Sequence, residues 1–202
     1  MPGPGTTLDG DYTLNTEGCT GEAYYYGNGY YGTDGGYWEI SVLPAEGSGA
    51  DGFMIQLVSP SLDFTQGIIG GVYTPAAVSS YVQPNEYVPG SVYAGEISGT
   101  AYVGGFTEDG YVTEFAPAVD GDLTVSSSGD GNYTFSFSFS DGYGNVWSGE
   151  WTGHMELYNG LEGYSAQKRN VFGARKNVTG EDRSIKVGEF SGEVPESRKT
   201  GR

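Results

Sequence analysis

The sequence predicts an all-β domain, an antiparallel β-sandwich or barrel-like meander with Gly- and Asp-rich hairpin turns and little or no helix. The first observation behind this is residues 132–140, where Tyr133, Phe135, Phe137 and Phe139 alternate strictly with Thr134, Ser136, Ser138 and Ser140. A period of two places all four rings on one face of an extended strand. The second is a series of Asp-Gly pairs, at Asp34-Gly35, Asp51-Gly52, Asp109-Gly110, Asp120-Gly121, Asp130-Gly131 and Asp141-Gly142, that punctuate the apolar runs. Asp-Gly supplies the positive φ angles of tight hairpins, so the connections are expected to be antiparallel. The third is 36 Gly with no G-X-Y period, which excludes collagen and implies many short elements, while no segment carries the apolar spacing of an amphipathic helix.

The strands follow in order. Residues 37–43 and 53–58 form a predicted hairpin across a Pro- and Gly-containing loop, and residues 72–74, 101–104 and 111–115 are shorter candidates. Residues 122–126 pair with 132–140 across the turn at 127–131. After a turn over 141–145, residues 146–157 carry Trp147, Trp151, Met155 and Leu157 on one parity and Ser148, Glu150, Thr152, His154 and Glu156 on the other. Together these three segments make a meander with one buried face.

Charge divides the chain. All nine Lys and Arg, from Lys168 to Arg202, lie beyond residue 167, and the formal net charge is -17. Three regions result: an N-terminal lead over 1–19, an acidic all-β domain over 20–159, and a basic-containing tail over 160–202 that is expected to be flexible, with an edge strand available at 184–190; the alternative is electrostatic docking of this basic tail onto the acidic body. A body without basic side chains repels phosphate, which argues against nucleic acid and anionic membrane surfaces as partners. No window approaches the length of a membrane span. The opening Met1-Pro2-Gly3-Pro4-Gly5 reads as a tether. Cys19 cannot form an internal disulfide, and the residues before it lack the apolar run of an export signal, so any targeting segment is expected to have been removed.

A set of short motifs then carries a resemblance. Ala23-Tyr24-Tyr25-Tyr26-Gly27, Tyr37-Trp38-Glu39-Ile40, Gly71-Val72-Tyr73-Thr74, Pro89-Gly90-Ser91, Gly121-Asp122-Leu123-Thr124-Val125, Asp141-Gly142-Tyr143-Gly144-Asn145 and Trp151-Thr152-Gly153 succeed one another over residues 23–157. This succession resembles uncharacterised exported domains of gut Bacteroides-type bacteria, often lipoproteins. The resemblance implies an extracytoplasmic location, at the cell surface or in the periplasm, and no activity. The chain departs from that pattern in having no basic residue in its body.

Few chemistries are open to these residues. His154 is the single His and no G-x-S-x-G surrounds any Ser, which argues against nucleophilic hydrolysis; one His and one Cys are too few for a zinc site. Paired carboxylates alone can cleave a glycosidic bond, but Glu150 and Glu156 on one strand face would stand roughly 20 Å apart, beyond either hydrolytic geometry. Asp120, Asp122, Asp130 and Asp141, with Asn132 and Asn145, are hard oxygen ligands for a calcium ion, although turn formation explains them equally and none lies in a D-x-[DN]-x-[DN]-G loop.

Aromatic surface remains. Tyr24, Tyr25, Tyr26, Tyr30, Tyr31 and Tyr37 lie in a Gly-rich segment and are either a ligand-binding face or a plug over the end of the fold. The expectation is a non-catalytic envelope or surface binding domain with a polysaccharide or protein ligand and no resident cofactor. The alternatives are a barrel-type small-molecule carrier, which needs an apolar lumen, and a carboxylate-based carbohydrate-active enzyme, which needs two carboxylates within about 10 Å in a cleft.

Overall fold

The computed structural model describes residues 5–45, 47–107 and 111–161, together with the backbone of 185–186. The strands are β1 (Tyr12–Thr13), β2 (Thr20–Tyr25), β3 (Gly36–Leu43), β4 (Gly52–Ser59), β5 (Gly71–Pro75), β6 (Glu86–Tyr87) and β7 (Ser91–Tyr93). They continue with β8 (Glu96–Ser98), β9 (Ala101–Gly104), β10 (Glu114–Pro117), β11 (Asp120–Gly129), β12 (Asn132–Ser140), β13 (Val146–Asn159) and β14 (Ile185–Lys186). Among the described residues the helical content is one 3-10 turn, Phe64–Gln66, capped by the Asp63 carboxylate.

Eight of these strands close a barrel. Neighbours run β4, β3, β2, β13, β12, β11, β5 and β6, and β6 returns to β4. Closure decides between sandwich and barrel, and eight strands leave an interior just wide enough for side chains to fill. The filling is aromatic: Tyr25, Trp38, Phe53, Tyr73, Tyr87, Tyr133, Phe135, Phe137, Phe139, Trp147 and Trp151 belong to one buried cluster with Ile40, Ile55, Leu57 and Leu123. Register explains how they meet, since Trp38 lies opposite Leu57, Ile40 opposite Ile55, Phe135 opposite Trp151 and Phe139 opposite Trp147.

The predicted meander of β11, β12 and β13 forms with the expected inward parity, and the β3–β4 hairpin forms as read. The expectation of purely antiparallel pairing is corrected. β13 runs parallel to β2, β5 parallel to β6, and β1 parallel to β13. The cause is topological: β6 inserts between β4 and β5 after a crossover through residues 76–85, creating one parallel pair. A closed ring of eight strands must contain an even number of antiparallel pairs, so a second parallel pair has to appear, and it falls where the first and last barrel strands meet.

The predicted strand at 111–115 is displaced to β10. Tyr111 and Thr113 are held instead by backbone hydrogen bonds outside that strand, the Thr107 amide donating to the Tyr111 carbonyl and the Thr113 amide to that of Gly104. β9 and β10 extend the sheet beyond β4, whose first half pairs with β9 and second half with β6. Both faces of β3 and β4 are therefore covered. Outside the lumen, Leu43 and Met54 pack with Ile97, Ala101, Val103, Val112 and Phe115. Farther along, Tyr37 and Val58 pack with Ala76, Val82 and Val88.

The tether expectation falls on residues 1–5, of which 1–4 lie outside the described residues; from Thr6 onward the N-terminal lead packs on the barrel. The Thr7 amide donates to the Phe115 carbonyl, the Phe115 amide donates to Thr7 Oγ1, and the Leu14 side chain enters the main core. These contacts cover the open edge of β10 and the first half of β13, edges that would otherwise invite strand addition. The tail contributes β14, which pairs antiparallel with β8 within the predicted edge strand. The remainder of the tail expectation, residues 162–184 and 187–202, lies outside the described residues.

Candidate functional site

The six tyrosines singled out by sequence do not form a common face. Tyr25 points into the lumen, where its ring lies 5.0 Å from that of Trp38 and its hydroxyl donates to the Leu62 carbonyl at 2.5 Å. Tyr24, one residue earlier, points to the opposite side and is also buried; it stacks on Tyr158 at 4.8 Å and donates to Glu22 Oε2. The alternation of β2 separates these two. At 4% and 3% exposure, Tyr24 and Tyr25 are packing residues and present no ring face to solvent.

The other four rings gather at the end of β3. Tyr37 is buried and central, with Tyr26, Tyr30 and Tyr31 at 5.8, 5.2 and 5.2 Å. Tyr37 donates to Glu39 Oε1 at 3.0 Å, and burial, reinforced by the Glu39 charge, drives its pKa far above the usual tyrosine value. Burial beside Tyr30 pushes Tyr31 up to about 12. Tyr30 is different: the residue is 72% exposed, yet its ring stacks on Tyr37 at 25° and meets Tyr31 edge-on at 5.0 Å. The crossover loop reaches the same cluster through Ala76 and Val82, and presents exposed Val78 and Tyr81 from a bridged turn. Sequence reasoning missed Tyr81, since a lone Tyr in a loop carries no periodic signal. Tyr30 is thus an exposed residue whose ring is fixed from behind by Tyr37 and Tyr31.

The calcium set is dispersed. Asp120 and Asp122 are exposed at one end of the β11–β12 hairpin, and Asp130 sits at the other end in the turn, where φ is 52°. Asp141 is buried and organises its own turn, accepting from the Tyr143 and Asn145 amides at Oδ1 and from Asn145 Nδ2 at Oδ2. Burial raises its pKa, but these hydrogen bonds and one from Thr6 outweigh that and hold the carboxyl below its ordinary value. Asp141 and Asn145 thus act as turn formers, Asn145 Nδ2 donating to Asp141 Oδ2 and to the Leu8 carbonyl. Among the described residues, no three of His, Cys, Asp and Glu gather as metal ligands.

His154 lies on the exposed parity of β13, 3.5 Å from Glu156 Oε1, with both side chains more than half exposed. A carboxylate pair that the sequence did not suggest occurs elsewhere. The Tyr102 hydroxyl lies 3.2 Å from Asp51 Oδ1 and 2.9 Å from Glu114 Oε2, so the two carboxylate oxygens are within about 6 Å of each other, close to a retaining glycosidase's spacing. Asp51 Oδ2 also accepts from the Tyr12 hydroxyl and the Asn15 amide. Burial first, then the Asp51 and Glu114 charges, push the Tyr102 pKa strongly upward. Tyr102 has no exposed surface and Asp51 is 7% exposed, so the pair lacks a cleft. Its structural effect is to clamp the lead, through Tyr12 and Asn15, onto the barrel. Asp51 was hidden in sequence as half of an Asp-Gly turn signal.

Among the described residues rings interlock across the lumen, Phe53 with Phe137 at 4.8 Å and Phe139 with Trp147 at 4.7 Å. A depression of about 30 Å³ on the outer side, lined by Glu39, Ile40, Ser41, Met54 and Gln56, has room for about one water. Among the described residues no helix is long and apolar enough to cross a membrane. Comparison with protein-family models, curated proteins and solved structures gives no match to this chain.

Proposed function

We propose that this domain is a non-catalytic binding module whose ligand is an uncharged polysaccharide, held on the surface formed by Tyr30, Tyr31 and Tyr81. The observation that carries this reading is the Tyr30 ring, exposed on one side and stacked against Tyr37 on the other. An exposed ring fixed from behind pays little conformational entropy when a flat partner stacks on it, and sugar faces are such partners. The acidic body favours a neutral ligand, because 1–167 carries no Lys or Arg to offset its carboxylates. The filled lumen favours this reading over a small-molecule carrier, and the buried state of Asp51 favours it over a carboxylate enzyme. In keeping with the sequence resemblance, the setting proposed is extracytoplasmic.

The test is electrophoresis of the native chain through gels containing neutral or anionic polysaccharides. Retardation by a neutral glycan is expected, with Tyr30→Ala weakening it by about tenfold, the value of one stacked ring. Tyr93→Ala removes a ring that is 84% exposed and outside the cluster, and should leave retardation unchanged. The proposal fails if no neutral glycan retards the chain, or if the two variants weaken retardation equally.

A further inference from the structure

The β7–β8 hairpin turns through Ala94 and Gly95, both at positive φ, and is anchored by Ile97, which is fully buried among Leu43, Met54, Val103 and Phe115. Such a hairpin offers a rigid backbone edge on each side. On the β8 side that edge is taken by β14, with Ile185 opposite Ile97 and Lys186 opposite Glu96. β14 comes from the stretch that holds every basic residue of the chain, and β8 belongs to the stretch that holds none. Residues 168–202 carry nine Lys and Arg against the five carboxylates of Glu181, Asp182, Glu189, Glu193 and Glu196. Opposite net charges therefore meet at a two-residue backbone pairing, which is too short to hold by ladder hydrogen bonds alone.

We propose that the edge of β8 is a docking site for the chain's own basic C-terminal segment, and that this strand is an electrostatic latch released by salt. The backbone pairing fixes register, and the charge difference between tail and body supplies the attraction that makes so short a strand bind. The covered edge is the kind that recruits foreign strands, so the latch also hides a strand-acceptor site whose preferred occupant is basic and extended. Attraction across solvent weakens as the screening length falls from about 10 Å at 0.1 M salt toward roughly 3 Å at 1 M, so the latch opens with ionic strength.

The charge segregation provides its own assay, because trypsin has no Lys or Arg to cut in residues 1–167 of the intact chain. Cleavage rates after Lys176, Lys186 and Lys199 are measured by mass spectrometry of the full chain at low and high salt. At low salt, cleavage after Lys186 should be slower than after Lys176 and Lys199 by about tenfold, since the protease cuts the opened strand. At 1 M NaCl the three rates should converge. Ile185→Pro, which removes a ladder donor within the tail and leaves the barrel sequence intact, should abolish the difference at low salt as well. Equal rates in the native chain at low salt overturn the docking, and a protection of Lys186 unchanged by salt overturns its electrostatic basis.

Discussion

On β12, Tyr133, Phe135, Phe137 and Phe139 share one face and all four enter the lumen, whereas the tyrosines between 24 and 37 divide among three environments. Tyr25 joins the lumen, Tyr24 and Tyr37 are buried outside it, and Tyr30 faces solvent. The two stretches have similar ring content but different backbones. β12 is regular over its whole length, so a period of two assigns every side chain. The second stretch leaves β2 at Tyr25 and re-enters the sheet at Gly36, passing Gly27 and Gly32 at positive φ, so no single period links its rings. Aromatic content predicts burial only where the backbone that carries it is regular.

The comparison breaks most visibly in the core. Phe135→Ala and Tyr25→Ala each empty a buried ring site and should cost about 3–5 kcal/mol in urea unfolding. If Tyr25→Ala costs under about 1 kcal/mol, the assignment of Tyr25 to the lumen is wrong. Alkaline pH sharpens the same contrast. Burial pushes Tyr73 up to about 12 despite a hydrogen bond with Ser59, and Tyr37, Tyr87 and Tyr102 are raised as well. Each stays neutral in the folded chain while its unfolded counterpart ionises near 10. The resulting stability is complete below pH 10 and is lost as pH rises from about 10 toward 12, by about 1.4 kcal/mol per unit per tyrosine held neutral. Unfolding free energies at pH 9, 10 and 11 check this, and a flat profile would contradict the burial of these hydroxyls.

A smaller effect is expected at the β12–β13 turn. Asp141→Ala removes three acceptor contacts and should cost about 1–2 kcal/mol at neutral pH. Because the folded carboxyl is held below its ordinary value, its contribution is present above about pH 4 and is lost as pH falls through the folded pKa. Native and variant stabilities should therefore converge in acid. The smallest expected effect is Tyr30→Ala, within about 0.5 kcal/mol of the native chain, since its ring is mostly exposed before and after unfolding. A larger loss would place Tyr30 in the core of its cluster rather than at its surface.

Much of the barrel wall was legible. The hairpin of β3 and β4 and the meander of β11 to β13 announced themselves through alternation and Asp-Gly turns, the Asp130-Gly131 pair adopting two successive positive φ angles. Gly121 shows a second use of the same dipeptide. It lies inside β11 at φ 115°, where a Cβ would collide with the Ser138 carbonyl oxygen, so this Asp-Gly permits close strand approach and is not a turn. The tyrosine cluster was legible in part: Tyr26, Tyr30, Tyr31 and Tyr37 gather, whereas Tyr24 and Tyr25 are buried elsewhere, and the exposed Tyr81 carried no sequence signal. The Tyr12–Asp51–Tyr102–Glu114 clamp was not legible, because its members come from β1, the residue before β4, β9 and β10 and no local pattern links them.

The sequence by itself determined the β3–β4 hairpin, the β11 to β13 meander with its inward face, and the partition of charge, since each depends on interactions between residues a few positions apart or on composition alone. Only the tertiary structure decided that the sheet closes, that two barrel pairs run parallel, and which tyrosines are left at the surface. Those outcomes depend on which edges remain to be paired after the local hairpins form. That choice follows from satisfying backbone hydrogen bonds around a ring and packing its lumen to full density, and no segment of the chain encodes it alone.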